Sequence, residues 1–232
     1  MICIHTISLD EFHKTLLIFN ENFGPDVSFN PSNNPHMFQS SPISVGGISF
    51  VINISHNHLD AIFDLNPNCI LYCGVCTGNP HFVKLGDVVV CSRSVDMVGG
   101  NHDKQRLPIH TEQVLCMSKP NIKPHVFKIH IGAVLSYIGK LSDFSIGFDQ
   151  LSRITAVRDI YAINSEAYRF LFTCNQRHPL KYPLKYPLKY LAVCGVEELY
   201  NFPLTETFAI HHSALYLASL IKDPITFGFL FS

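Results

Sequence analysis

Three segments of the chain carry glutamates where an acid or a base can act. Glu11 follows Ser8 by three residues, and Glu166 stands at the start of an apolar helical pattern. Glu198 follows Glu197 at the end of an apolar run. A carboxylate accepts hydrogen bonds from hydroxyls, and a protonated carboxyl can donate to a leaving group. Local structure is an open alternative, because glutamate also suits a capping box at Glu11 and the first helical turn at Glu166.

Cysteine and histidine pairs offer a second kind of chemistry. Cys73 and Cys76 have the spacing of redox and zinc motifs, but they end an apolar run, and no second C-x-x-C pair completes a zinc site. His211 and His212 would point about 100° apart on a helix. We therefore expect no metal ion. The eight cysteines lie mostly in apolar runs, which is typical of free thiols in a reducing compartment.

Composition and charge narrow the class of protein. The chain has 232 residues, 47% of them hydrophobic, which predicts a single domain over residues 1–232. The formal net charge of −1 disfavours nucleic acid and anionic membranes as partners and favours a small molecule or a protein. No apolar run approaches the roughly 18 residues of a membrane-spanning helix, and residues 1–10 lack the features of a secretory signal. We expect an intracellular, cytoplasmic protein.

The hydrophobic pattern predicts alternating strands and helices. Strands are predicted at residues 2–7, 47–54, 69–73, 85–91, 126–131 and 190–196. Helices are predicted at residues 9–19, 58–65, 165–175 and 205–221, with loops at residues 20–41 and 95–110. This alternation predicts an α/β domain with a largely parallel or mixed sheet.

One short repeat is present, because Pro-Leu-Lys-Tyr occurs three times between residues 179 and 190. Its period is far below the roughly 20 residues or more of solenoid repeats. Since each proline disfavours helix at the preceding residue, we interpret the repeat as a lengthened loop. The alternative is a basic arm, with Lys181, Lys185 and Lys189, that contacts a partner or a phosphate.

Four segments, taken in order, resemble the nucleoside phosphorylase/nucleosidase superfamily and together cover most of the chain. Residues 69–90 are similar to its strand, glycine turn and Gly-Asp-Val-Val-Val strand. Residues 164–168, Asn-Ser-Glu-Ala-Tyr, resemble Asp-Met-Glu-Ala-Tyr, and residues 190–200 resemble a strand that ends in Arg-Gly-Ile-Ser/Cys-Asp-Tyr. Residues 208–221 are similar to the closing helix. The resemblance implies a three-layer α/β fold, with a central mixed, twisted β-sheet flanked by helices, and a homo-oligomer.

The resemblance also implies roles for individual residues. Glu166, with Ser165 beside it, would hold the ribose hydroxyls. Glu198 matches the aspartate that protonates the departing purine, with Glu197 as the alternative acid. The backbone of the glycine turn is expected to form a cradle for a ribose hydroxyl, water or an anion, at Gly74, Cys76, Thr77 and Gly78.

The nucleophile predicted for this reaction is water. A phosphorylase needs cations near the first strand to bind phosphate, whereas residues 6–11 are acidic and contain no arginine. This loop resembles the start of methylthioadenosine/S-adenosylhomocysteine nucleosidases, in which a glutamate at the position of Glu11 activates water. We predict hydrolysis in preference to phosphorolysis, with no cofactor and with phosphate as a co-substrate only in a phosphorylase.

The predicted substrate is a purine nucleoside or a related adenine nucleoside or nucleotide, which would place the protein in purine metabolism. A triphosphate needs clustered cations, which Lys104 and Arg106 or the lysines of the repeat supply. The alternative function is a catalytically impaired nucleoside-binding protein or an interaction domain. That alternative rests on departures from the family pattern at Thr77, Asn164, Cys194 and Glu198.

Overall fold

Helices and strands alternate along much of the chain. The computed structural model describes residues 1–34, 36–57, 59–97, 109–110, 127–137, 148–155, 157–177, 188–200 and 208–223. The described helices are α1 (Leu9–Phe23), α2 (Leu59–Asp64), α3 (Phe148–Thr155), α4 (Ala167–Arg177) and α5 (Ala209–Lys222). The described strands are β1 (Ile2–Thr6), β2 (Phe29–Pro31), β3 (Met37–Ser40), β4 (Ile43–Val45), β5 (Ile48–Phe50), β6 (Ile52–His56), β7 (Cys69–Gly78), β8 (Val88–Met97), β9 (Ile109–His110), β10 (Ile129–Tyr137), β11 (Ile160–Ile163) and β12 (Lys189–Leu199).

Helix α1 begins at the position that the sequence predicts. The hydroxyl of Ser8 accepts a hydrogen bond from the Glu11 N–H at 3.1 Å, and Glu11 Oε2 accepts one from the Ser8 N–H at 2.9 Å. These two bonds complete the predicted capping box. The helix continues past the predicted end at residue 19 and stops at Phe23, before Gly24 with its φ of 82°.

The loop predicted over residues 20–41 is wrong in part. Residues 20–23 belong to α1, and β2 and β3 form an antiparallel pair within the remainder. Strand β3 also pairs with β6, which joins this segment to the main sheet. Asparagine, proline and serine are poor strand formers, so here pairing with β6 overrides the local preference of the sequence.

A mixed sheet that includes ten of the described strands forms the centre of the fold. Its order is β11-β10-β8-β12-β7-β1-β6-β3-β2, with β9 beside β8, while β4 and β5 form a separate pair. Parallel pairs join β1 to β6 and β7, β7 to β12, and β8 to β10. Antiparallel pairs join β12 to β8 and β11 to β7. The prediction of an α/β protein with a central mixed sheet is confirmed.

Alternate residues of the central strands pack against helices on opposite faces of the sheet. In β1, Ile2 and Ile4 belong to a cluster that contains residues of α1 and α5. Cys3, between them, belongs to a second cluster with residues of α2 and α4. Successive side chains of a strand point to opposite faces, so unbroken apolar strands need helices on both sides. Helices packed on both faces of the sheet therefore hold the core strands in place.

Strand β7 runs through residues 74–78, where the sequence predicts a glycine turn. Its register places Thr77 opposite Ile163 on one side and opposite Glu198 on the other. Gly78 serves close packing, because a Cβ there would lie 2.5 Å from the Val83 side chain. The predicted turn is wrong because glycine within a strand also marks the close approach of a neighbour.

Other predicted boundaries shift by a few residues. The strand predicted at residues 47–54 is divided into β5 and β6, and the strand predicted from residue 85 begins at Val88, because Gly86 adopts a φ of 79°. The predicted loop at 95–110 begins later, since β8 extends to Met97, and its residues 98–108 lie outside the described residues. Helix α3 and strand β11 have no predicted counterpart.

Parts of three sequence predictions lie outside the described residues. Residues 178–187, which hold most of the Pro-Leu-Lys-Tyr repeat, are among them, and so are Lys104 and Arg106. The beginning of the helix predicted at residues 205–221 is also outside, and α5 is described from Ala209. Within the described part of the chain, no helix has both the length and the apolar character needed to cross a membrane.

Candidate functional site

The last residues of β7 are the point at which the three carboxylate-bearing segments meet. The Val75 N–H donates to Glu11 Oε1 at 3.3 Å, and the Val75 carbonyl accepts from Asn164 Nδ2 at 2.7 Å. Two residues later, Thr77 Oγ1 donates to Glu198 Oε1 at 2.5 Å. Ligand sites of open α/β sheets form at the carboxyl ends of strands. The structure therefore brings Glu11, the segment of Glu166 and Glu198 to such a strand end.

Glu11 is held by backbone N–H groups on two elements. Its Oε2 accepts from the N–H groups of Ile7 and Ser8, each at 2.9 Å, while Oε1 reaches Val75 of β7. Burial raises the pKa of Glu11 above its ordinary value of 4.5, and the backbone hydrogen bonds, which favour the ionised form, oppose that shift. One oxygen serves the capping box, and the other ties the start of α1 to the sheet. Its catalytic role stays a prediction.

Glu198 and Glu197 lie in different surroundings at the end of β12. A register shift just before Glu198 places it opposite Thr77, so that Glu197 is the extra residue of a β-bulge. Glu198 is half-buried, whereas Glu197 is exposed. Partial burial and the Glu198 carboxylate raise the pKa of Glu197; Lys14 of α1 opposes the shift and Asp10 adds to it. The bulge thus turns Glu198 toward β7 and leaves Glu197 exposed.

Asn164 fixes the start of α4, the helix that follows Glu166. Its Oδ1 accepts from the N–H groups of Glu166 and Ala167 at 2.9 and 2.6 Å, as an N-cap residue does. Its Nδ2 donates to the Val75 carbonyl at 2.7 Å and to the Tyr72 hydroxyl at 3.1 Å. The sequence contains a signal for the capping bonds, an asparagine at a helix start, but no signal for the bonds to β7.

A cavity of about 150 Å³ lies beside Glu166. Neither Glu11 nor Glu198 is among its described lining residues, but Ile7, whose N–H binds Glu11, is one of them. The predicted site residues therefore divide between this cavity and the end of β7. The described lining consists of His5, Ile7, Asn57, Leu59, Asp60, Glu166, Arg169, Phe170 and Thr173.

Glu166 and Ser165, the predicted ribose-binding pair, differ in exposure. The Glu166 side chain is 26% exposed, and its Oε2 lies 3.8 Å from a guanidinium nitrogen of the largely exposed Arg169. Ser165 is exposed and is not among the described residues that line the cavity. An exposed ion pair of this length contributes little to stability, so the contact with Arg169 holds the Glu166 side chain only weakly.

Tyr72 lies buried beside Asn164, and its place inside an apolar run gives no sequence signal for this contact. Burial raises the pKa of Tyr72 well above its ordinary value of 10, and Cys194, Glu11 and Glu166 raise it further, whereas the hydrogen bond from Asn164 lowers it. The Tyr72 hydroxyl is therefore a neutral group, and it accepts a hydrogen bond from Asn164 Nδ2 at 3.1 Å.

Cys73 and Cys76 lie on opposite faces of β7. The thiol of Cys73 lies 3.6 Å from the hydroxyls of Thr15 and Ser213, in the cluster with α1 and α5. Cys76 belongs to the cluster on the other face. Burial raises the pKa of Cys73 to about 12. The two sulfurs therefore cannot share a metal ion, and the described residues include no group of three or more His, Cys, Asp or Glu placed to hold one.

Solved structures similar to this chain include nucleosidases and phosphorylases. The 5′-methylthioadenosine/S-adenosylhomocysteine nucleosidase of Neisseria meningitidis, in complex with methylthio-immucillin-A, matches with a TM-score of 0.64 over 95% of this chain and 98% of that one, at 15% identity. A putative nucleosidase of the same kind from Borrelia burgdorferi, bound to adenine, matches with a TM-score of 0.64 over 98% and 100%, at 14% identity. A uridine phosphorylase of Phytophthora capsici matches with a TM-score of 0.61 over 97% and 89%, at 13% identity.

The similarity to these proteins is one of fold. No protein-family model matches the sequence, and no curated protein matches it. At 13–15% identity the three structures nevertheless align over nearly the whole of this chain.

Proposed function

The chain has the fold of the nucleoside phosphorylase/nucleosidase superfamily, and we propose that it hydrolyses the N-glycosidic bond of a purine nucleoside. The observation that carries the proposal is the meeting of Glu11, Glu198 and the Asn164–Glu166 segment at the end of β7. Hydrolysis of such a bond requires a group that holds the sugar, a base that activates water and an acid that protonates the leaving group. One glutamate is assigned to each task.

Glu11 is assigned the activation of water. An ionised carboxylate offers about four acceptor positions, and the N–H groups of Ile7, Ser8 and Val75 occupy three of them. The fourth position accepts a hydrogen bond from a water molecule. The oxygen of this water attacks C1′ of the ribose, and the proton that the water loses passes to Glu11. The three N–H groups hold the carboxylate in one orientation, which favours a reactive alignment.

Glu198 is assigned the protonation of the base. When the bond from C1′ to the base nitrogen breaks, the electron pair stays on the base, and a proton from Glu198 neutralises it. Thr77 holds Oε1 of Glu198, which leaves Oε2 for the base. Glu197 is the alternative donor, because its raised pKa favours the protonated form.

Glu166 is assigned the ribose hydroxyls. Glu166 lines the cavity, and a carboxylate can accept from two neighbouring hydroxyls at once. Ser165 is assigned a lesser part because it is exposed. The β7 backbone from Gly74 to Gly78 is assigned a supporting part, since the Val75 N–H already binds Glu11.

The charge near Glu11 favours water over phosphate as the nucleophile. Residues 6–11 contain two acids and no cation. Lys14, one turn further along α1, is paired with Asp10 at 2.8 Å. A phosphate dianion at this position would meet Glu11, whereas phosphate sites are usually built from arginine and lysine.

The proposal is tested by measuring the release of free base. The purified protein is incubated with adenosine, inosine, methylthioadenosine and ATP, each with and without phosphate. Release of base without phosphate is the expected result. Release that depends on phosphate would show a phosphorylase, and release from ATP alone would show a nucleotide-specific enzyme.

A second candidate function is nucleoside binding without catalysis. Cys194 stands where the resembling family has an arginine, and its side chain is fully buried in the core. The site thus lacks a cation at that position. This candidate predicts that adenosine binds in equilibrium dialysis, that no base is released from any substrate, and that E166Q weakens the binding.

A further inference from the structure

We infer that Asn164 is a positioning residue that sets the spacing between Glu166 and Glu11. The inference rests on the proposed function, in which these two glutamates hold the sugar and activate the water. The Asn164 side chain binds the N–H of Glu166 at one end and the carbonyl of Val75 at the other, at 2.9 and 2.7 Å. The N–H of the same Val75 binds Glu11 at 3.3 Å.

The path between the two glutamates is short and continuous. It runs from the Glu166 N–H through the Asn164 amide to Val75, and from there to the Glu11 carboxylate. The main chain of Asn164 is fixed as well, since its N–H donates to the Leu135 carbonyl of β10 at 2.9 Å. A displacement of the Asn164 side chain would therefore move the start of α4 relative to β7.

The hydrogen-bonding capacity of the Asn164 amide is fully used. An asparagine side chain has two N–H donors and an oxygen that accepts twice. The donors bind Val75 and Tyr72, and the oxygen binds Glu166 and Ala167. Asn164 is 7% exposed, so a substitution leaves partner groups unpaired in a buried place. Such an amide has one favoured orientation.

An aspartate, which the resembling family segment has at this position, would not make the same contacts. Its carboxylate can accept from the N–H groups of Glu166 and Ala167, but it has no donor for the Val75 carbonyl. It would also place a negative charge beside the Tyr72 hydroxyl, which the Asn164 amide contacts at 3.1 Å. The amide of Asn164 is therefore the feature that joins α4 to β7 in this chain.

Ser136 provides a matched control on the same helix. Its hydroxyl accepts from the Tyr168 N–H at 2.8 Å, so that it also binds the first turn of α4, and it is 1% exposed. Ser136 lies in β10, which pairs with β8 and β11 and not with β7. Loss of this hydroxyl removes a capping bond but leaves the connection through Val75.

The test compares N164D and S136A with the wild type in three measurements: hydrogen exchange of the Val75 amide, the Kd of adenosine, and kcat with KM for base release. N164D keeps the capping oxygen and loses the bond to Val75. We expect faster exchange at Val75 and a kcat lower by about 100-fold, because misplacement by about 1 Å costs that much. S136A should leave Val75 exchange and kcat unchanged.

The outcomes separate this inference from the proposed function. Equal Val75 exchange and equal kcat in N164D and the wild type would overturn the role of Asn164. If the wild type releases no base, the proposed function fails. The role of Asn164 is then still tested by two comparisons of N164D with the wild type, the hydrogen exchange of the Val75 amide and the Kd of adenosine. Should N164D not fold, N164S replaces it, since serine retains an N-cap oxygen but is too short to reach Val75.

Discussion

The hydroxyl of Thr77 lies 2.5 Å from Glu198 Oε1 and joins β7 to β12 where a bulge interrupts their register. Glu198 is thus oriented by a side chain, whereas Glu11 is oriented by backbone N–H groups. A backbone N–H group is retained in most substitutions of its residue, but a side-chain hydroxyl is lost when that one residue is replaced. The proton donor of the proposed reaction therefore depends on the residue at position 77.

Replacement of Thr77 by valine removes the hydroxyl and keeps the shape of the side chain. We expect T77V to fold and to lower kcat by about 10- to 100-fold, because Glu198 loses the group that orients it. T77S retains a hydroxyl and should stay close to the wild type. Steady-state base release measures both variants, and equal kcat in T77V and T77S would contradict the positioning role of Thr77.

Neutral substitutions of the glutamates separate their roles. E198Q should lower kcat by about 10²- to 10⁴-fold and leave the Kd of adenosine unchanged, because an amide cannot supply the proton. E166Q should raise the Kd and lower turnover, since the amide accepts fewer hydrogen bonds from the ribose.

E197Q is the matched control for E198Q, because it makes the same change one residue away on an exposed side chain. It should retain wild-type turnover. If E197Q loses activity while E198Q keeps it, the proton donor is Glu197.

The raised pKa of Glu11 predicts how activity depends on pH. A base must be ionised, so kcat/KM of the wild type should fall as the pH drops through the raised pKa, at a pH above the ordinary value of 4.5. Burial is the main cause of that shift. E11Q should lose activity at all pH values, and a wild-type profile that is flat across this range would argue against Glu11 as the base.

The raised pKa of Glu11 also predicts how the stability of the fold depends on pH. Because the folded pKa of Glu11 is raised, protonation stabilises the fold; this contribution is fully present below pH 4.5 and is lost as the pH rises through the folded pKa. The unfolding free energy of the wild type, relative to E11Q, should therefore decrease with rising pH. Urea denaturation at a series of pH values measures the difference, and a constant difference would contradict the shift.

Asp87 is predicted to stabilise the fold with the opposite dependence on pH. Burial alone would raise its pKa, but hydrogen bonds from His130 and from the N–H groups of Lys128 and Lys84 lower it below 3.8. Its contribution is present above pH 3.8 and lost as the pH falls through the lowered pKa. D87N should cost about 1–3 kcal/mol at neutral pH in urea denaturation. D64N, on an exposed side chain, should cost little.

Local signals in the sequence predicted the start of α1 and the central strands. The capping box of Ser8 and Glu11 acts within one turn, so the sequence alone contains its cause. The apolar runs of β7, β8 and β12 are buried on both faces, and their composition reflects this. The resemblance correctly led to the fold of the superfamily.

Contacts between segments that are far apart along the chain could not be predicted from the sequence. The second oxygen of Glu11 and the Nδ2 of Asn164 both bind Val75, which is 64 and 89 residues away from them. The continuation of β7 past Gly74 depends on pairing with β11 and β12, and the strands within residues 20–41 depend on pairing with β6. The spacing of residues along the chain does not predict such long-range partners.

The source of the oxygen on the released sugar distinguishes hydrolysis from phosphorolysis. Base release from adenosine is run in heavy-oxygen water with phosphate also present, and the products are analysed by mass spectrometry. We expect the wild type to release free adenine and ribose that carries heavy oxygen on C1′, and E198Q to release both products about 10²- to 10⁴-fold more slowly. Ribose 1-phosphate, or no free base from any purine nucleoside, would contradict the proposed hydrolysis.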